Sequence, residues 1–223
     1  MGFLADVAAF FGDRASWRGD NGLTQLIAEH LAISVAAMAV AMALALPLGL
    51  VLGHLGRGEM VAINVSNVGR ALPSFAVLVI ALQLSSIGVT PTMVALVLLA
   101  VPPMVTNSFV GVRSVDADMV EAGRAMGMTG QQVFAGAELP AALPLIMAGI
   151  RTAAVQVVAT ATLAALVGFG GLGALILVGL RTGDNVEVFS GALAVTILAM
   201  ATELGLGWLQ RRLGPNRRGS PAA

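Results

Sequence analysis

Between Ala71 and Val112 the chain carries no acidic, basic or histidine residue. As a single α-helix this stretch would be about 60 Å long, roughly twice the hydrocarbon thickness of a bilayer. It must therefore fold back on itself, and Ser85-Ser86-Ile87-Gly88-Val89-Thr90-Pro91 is the turn its residues offer. Leu31 to Gly53 is a second stretch without charge. Reading the chain for stretches of about 20 mainly apolar residues gives five spans: Leu31–Gly53, about Val61–Leu84, about Thr92–Val112, about Pro140–Val167 and about Val188–Leu209. The chain is 57% hydrophobic and 11% charged, whereas soluble domains are about a quarter charged. The fold class expected is an all-α membrane protein with five transmembrane helices.

Arginine distribution orients the spans, because cytoplasmic loops carry the excess of basic residues. Arg57, Arg113, Arg124, Arg211, Arg212, Arg217 and Arg218 fall on one side, and Arg14, Arg18 and Arg181 on the other. The N-terminus is thus expected outside and the C-terminus in the cytoplasm. Asp6 interrupts the first apolar stretch and no basic n-region precedes it, so the start does not read as a signal peptide. Phe3, Val7, Phe10 and Phe11 mark one face of a short interfacial helix, with Trp17 suited to the membrane boundary.

Polar groups inside spans need a reason. Arg70 and Arg151 are expected to snorkel toward the cytoplasmic ends of their helices. Glu203 lies two turns inside the last span. Asn64, Asn67, Gln83, Asn107, Gln156, Thr160 and Thr162 also lie in or near spans. Interhelical hydrogen bonding is the plain explanation for any one of them. A lined translocation path is the functional one. Thr152, Gln156 and Thr160 recur at fourfold spacing on one face of span four, which makes that face the best path candidate, and Asn107 at the end of span three is counted with them.

Several functions are excluded. All twelve basic residues are arginine. A P-loop needs a lysine on the β- and γ-phosphates, so the chain holds no ordinary ATP-hydrolysing site. Zero net charge gives no footprint for nucleic acid. There is no cysteine, and His30 and His54 lie at opposite ends of span one, where they cannot share a metal. Gly168, Gly170 and Gly173 satisfy G-x-G-x-x-G, but a membrane-length helix precedes them where a dinucleotide site needs a strand. They read instead as an outer turn or re-entrant piece. Gly49 and Gly53 read as a helix-packing pair.

One polar segment interrupts the apolar chain, VDADMVEAGRAMGMTGQQVFAGAELP between Arg113 and Pro140. Asp118 with Glu121 three residues later is a capping-box-like helix start. Glu121 and Arg124 can pair at i, i+3. Gly127 suits the left-handed position that ends a helix. Thr129 with Gln132 opens a second capped helix. Pro140 falls near the start of the next span, where its missing N–H costs little. Met119 and Met126 are adaptable apolar residues that a partner groove could receive.

The spacing Glu121-Ala122-Gly123, Gly127, Leu139-Pro140, placed after the third span, resembles the EAA loop of permease subunits from ATP-binding-cassette importers. The family more often has alanine where Gly123 stands. Arg70-Ala71-Leu72-Pro73-Ser74, Pro102-Pro103 through Asn107, Ala148-Gly149-Ile150-Arg151-Thr152 and Gly168 to Gly173 look like the glycine betaine/choline/carnitine osmoprotectant branch, close to methionine-type permeases. The resemblance covers about Leu23 to Leu213.

It implies three regions: an outer amphipathic segment over 1–22, a transmembrane domain over 23–213 with its loop at 118–140, and a disordered cytoplasmic tail over 214–223. Asp118, Glu121, Ala122, Gly123, Gly127, Leu139 and Pro140 would serve the cytoplasmic coupling helix. The partners implied are a cytoplasmic ATPase dimer carrying ATP and Mg, a second permease subunit (identical or homologous), an extracytoplasmic substrate-binding protein and membrane lipid. This chain would bind no cofactor itself. Another small solute, such as an amino acid, is the alternative cargo. An ATP-independent secondary transporter or channel is the alternative class.

Overall fold

A computed structural model describes residues 2–19, 21–61, 64, 67, 73–84 and 88–213. Its helices, in chain order, are α1 (Phe3–Gly12), α2 (Arg14–Trp17), α3 (Leu23–Leu55), α4 (Ser74–Leu84), α5 (Val89–Arg113), α6 (Ala117–Ala125), α7 (Gly130–Val133), α8 (Leu139–Thr160), α9 (Leu172–Thr182) and α10 (Asn185–Leu213). A π turn (Phe134–Glu138) joins α7 to α8, and a 3₁₀ turn (Ala161–Val167) extends α8. There is no strand among the described residues. Four runs are long and apolar enough to cross a membrane: α3, α5, Gly130–Val167 and α10. They correspond to the first, third, fourth and fifth expected spans. The second is represented by α4; most of the rest of it, with Arg70, Ala71 and Leu72, lies outside the described residues.

The fold-back is present. Leu78 of α4 packs with Ala95 of α5 and Val167, and α5 begins just after Gly88, whose φ is +140°. Residues 85–87 of the expected turn lie outside the described residues.

Helix α5 is clasped between α3 and α8, and glycine is the reason it fits. A Cβ at Gly49 of α3 would lie 2.7 Å from the Val105 carbonyl oxygen, and one at Gly53 would lie 2.8 Å from Val112 Cβ. On the other flank, a Cβ at Gly149 of α8 would lie 2.7 Å from Asn107 Cβ and 2.9 Å from the Pro103 oxygen. In lipid, where tails are as apolar as side chains, such close backbone approach is what drives helices together. Small residues complete the seam: Ala37, Ala41, Ala45, Ala100, Ala153 and Ala154 are buried with Met104, Val105 and Val157.

Helix α3 starts two turns before Leu31, and two polar side chains there, Glu29 and His30, find hydrogen-bond partners inside the protein. The Gly171 N–H donates to Glu29 Oε2 (2.8 Å), and His30 Nε2 donates to the Val158 oxygen (2.8 Å). Burial of a polar group is tolerated once it is hydrogen-bonded. The glycine cluster after span four ends the 3₁₀ turn at Gly168 (φ +81°) and opens α9, an 11-residue helix too short to cross a bilayer. It turns back on α10, where a Cβ at Gly191 would meet Ile176 Cγ1 at 2.7 Å. Helix α1 lies on α10 with an edge-on contact of Phe3 with Phe189, and its Val7 is buried.

Arg151 is paired with side chains of α10. Its Nε lies 3.1 Å from Glu203 Oε1 of α10, and Nη1 donates to Gln210 Oε1 (3.0 Å). Gln210 in turn donates to the Pro144 oxygen (2.9 Å). The two charges expected to be managed separately neutralise each other between α8 and α10, which is how ionisable groups in spans are usually carried.

Candidate functional site

The polar segment leaves the bundle at the end where α3 and α5 finish and α8 begins. Gly53 against Val112, and Gly111 against Ala142, hold those three helix ends together. Asp116, not Asp118, caps α6: its side chain accepts from the Asp118 N–H at 2.9 Å. The cap falls two residues earlier because Asp116 has the non-helical backbone a cap needs (φ −54°, ψ 126°), while Asp118 is already helical and lends its charge to the first turn. Glu121 and Arg124 form no ion pair among the described residues. At exposed i, i+3 positions such a pair has little to gain.

The far end of α6 closes as expected. Gly127 has φ +82°. The Gly127 N–H donates to the Arg124 oxygen (2.9 Å) and the Met128 N–H to the Gly123 oxygen (3.1 Å). This is the Schellman pattern, which consumes the carbonyls a helix end leaves bare. Gly123 faces inward, and a Cβ there would touch Met128 Sδ and Val133 Cγ2, each at 3.3 Å. Asp118, Glu121, Ala122, Met119 and Met126 face outward, the two methionines at 50% and 76% exposure. So α6 presents two flexible apolar side chains among carboxylates. Helix α7 carries the expected capping box: the Thr129 N–H donates to Gln132 Oε1 (2.7 Å) and the Gln132 N–H to Thr129 Oγ1.

Leu139 and Pro140 belong to a different element. The helix does not start afresh at Pro140, because α7, the π turn and α8 are continuous. Proline has no N–H and its ring presses on the carbonyl four residues back. The Leu139 N–H reaches instead to the Phe134 oxygen, five back, and the widened turn absorbs the fault. Leu139 packs against Val112, Ala142 and Ile146, anchoring the segment to α5 and α8.

Thr152 and Gln156 are exposed on the outward face of α8 and have no hydrogen-bond partner among the described residues. Thr160 is half-buried where α8 tightens into the 3₁₀ turn. Asn107 stands apart from them: it donates from Nδ2 to the Pro103 oxygen (2.7 Å) and sits at the Gly149 crossing. Sequence reasoning missed Asp116, Phe134, His54 and Glu138. His54 Nδ1 and Glu138 Oε2 lie 2.6 Å apart. Their shared signal was position, since each is a polar residue at the edge of an apolar run on the same side.

A bundle of apolar helices carrying one capped, outward-facing polar segment defines a multi-pass membrane protein. The chain belongs to the family of binding-protein-dependent transport system inner membrane components, whose sequence pattern matches residues 45–219. It is thus a permease subunit of an ATP-binding-cassette importer and not an enzyme; the ATPase is a separate subunit. It is 40% identical over 198 residues to the carnitine transport permease protein OpuCB of Listeria monocytogenes, covering 88% of this chain and 91% of that one. It is 38% identical over 187 residues to the choline transport system permease protein OpuBB of Bacillus subtilis (strain 168), covering 84% and 86%. Its fold is similar to a chain of the MetNI methionine ABC transporter in inward facing conformations, with a TM-score of 0.73 and 23% identity over 86% of this chain and 95% of that one. The resemblance read from the EAA-like spacing is borne out at the level of family and fold.

Proposed function

We propose that this permease forms the membrane path for osmoprotectants of the glycine betaine, choline and carnitine kind, and that the segment from Asp116 to Pro140 is where a cytoplasmic ATPase dimer engages it. The observation that carries the reading is the surface of α6: a short helix closed at both ends, inward at Gly123, outward at Met119 and Met126. Adaptable methionines suit a groove on another protein. The names of the relatives support the substrate class.

Orientation follows the arginines. Arg57, Arg113, Arg124, Arg211 and Arg212 belong to the end of the bundle that bears α6, and Arg14, Arg18 and Arg181 to the other. That distribution supports a reading with α6 in the cytoplasm, the N-terminus outside and the C-terminus inside; the tail at 214–223 lies outside the described residues. ATP and Mg would be held by the partner, and an extracytoplasmic binding protein would deliver substrate to the α9 end. Thr152 and Gln156 point away from their own chain without partners, so a second permease copy or homologue facing them would enclose a polar path.

The chain has no cysteine, so introduced ones report cleanly. Met119→Cys and Met126→Cys are expected to cross-link to the ATPase subunit and to resist impermeant labelling from outside. Outside labelling would overturn the orientation. Uptake by the purified permease in liposomes without ATPase would favour a secondary transporter. Binding of quaternary ammonium compounds rather than amino acids to the partner binding protein tests the substrate class.

A further inference from the structure

Glu138 lies inside the segment proposed to engage the ATPase, but its side chain faces inward and is the most deeply buried acid among the described residues, at 5% exposure. It ends the π turn, and its Oε2 accepts from Nδ1 of His54, in the last turn of α3, at 2.6 Å. Phe134, at the start of the same turn, sets its ring edge-on to the imidazole with centroids 5.2 Å apart. A Cβ on Gly130 would lie 3.6 Å from the other ring nitrogen, Nε2. One continuous stretch, 130–138, therefore surrounds the side chain that ends α3.

We propose that His54 and Glu138 are positioning residues that transmit movement of the coupling segment into α3. The proposal rests on the coupling role given to α6. A short, directional hydrogen bond between a buried carboxylate and a half-buried imidazole admits one register, whereas an apolar contact can slide. The lever it drives is defined by the glycine crossings: α3 is fitted to α5 at Gly49 and Gly53, so displacement at His54 is passed to the centre of the bundle. The π turn matters here because it joins Glu138 to the coupling segment without a break while carrying the fault at Pro140.

The test uses the reconstituted importer with its ATPase and binding protein. Glu138→Ala and His54→Ala are each expected to insert and to co-purify with the ATPase. Each should lower transport per ATP hydrolysed about tenfold, with the KM for loaded binding protein within about twofold of the parent. The double alanine variant should be no worse than either single one, since residues acting through one contact are non-additive. His54→Gln, which keeps an N–H donor, and the exchanged pair His54→Glu with Glu138→His should recover most of the coupling. Parental coupling in Glu138→Ala, additive losses in the double variant, or no recovery in either rescue would overturn the proposal. Met119→Cys cross-linking run in parallel separates the two readings. Without a cross-link to the ATPase, the coupling role of α6 is wrong. With the cross-link intact and Glu138→Ala fully coupled, only the His54–Glu138 contact is.

Discussion

The α3–α5–α8 crossing and the polar segment are both organised by glycine, and they use opposite properties of it. At Gly49, Gly53 and Gly149 the residue is valued for the side chain it lacks, because a Cβ would strike a neighbouring backbone or side chain at under 3 Å. At Gly127 there is open space and nothing within 4 Å, but φ is +82°. There the residue is valued for a conformation that side chains resist. One glycine class sets how closely helices pack in lipid, and the other sets where a water-exposed helix stops. Substitution should therefore fail differently in the two regions.

The largest effect is expected at the crossing. Gly149→Val sets two methyl groups against the Pro103 carbonyl and Asn107, and backbone cannot give way as a side-chain tip can. Overpacking of this kind costs about 1–3 kcal/mol or more, so little folded protein should survive detergent extraction, read by size-exclusion chromatography. Next comes Gly127→Val. A β-branched residue held at positive φ costs on the order of 1–3 kcal/mol locally, while the bundle is untouched. The variant should insert normally and lose substrate-stimulated ATPase activity; full stimulation would erase the distinction between the regions. Glu203→Leu is intermediate in kind. It leaves Arg151 with Gln210 alone, and because both charges are partly exposed the loss should be about 1–2 kcal/mol, visible as a lower thermal midpoint. Gly123→Ala sharpens the comparison most finely. Its Cβ would meet Met128 Sδ at 3.3 Å, a flexible contact, and alanine gains up to about 1 kcal/mol of helix propensity. Coupling should be unchanged or slightly improved, whereas Gly123→Leu should disturb the packing on Val133.

These regions were unequally legible before the structure was known. Long apolar runs located α3, α5, α8 and α10, since insertion into lipid depends on composition over a length any reader can count. Gly127 and the Thr129–Gln132 box were equally readable, because a cap is a local event within a few residues. Legibility ended where partners are distant in sequence. His54 and Glu138 are 84 positions apart, and nothing at either position announces the other. The pairing of Arg151 with Glu203 was missed for the same reason, since the two lie on different helices. Asp118 and Asp116 were confused because both can accept a bond two residues on, and only the backbone angles decide. The π turn was missed since Pro140 was read as a beginning, when the helix runs through it.

That unbroken run has a mechanical consequence. From Gly130 to the crossing at Gly149 is about 28 Å of helix, and from there to Thr160 about 16 Å. Tilting about the crossing, a stroke of about 3 Å at the polar end becomes about 1.7 Å, in the opposite sense, at the other end. The seesaw trades amplitude for force. The end carrying Thr160 moves the lesser distance, while the longer arm lies on the side where a partner would push.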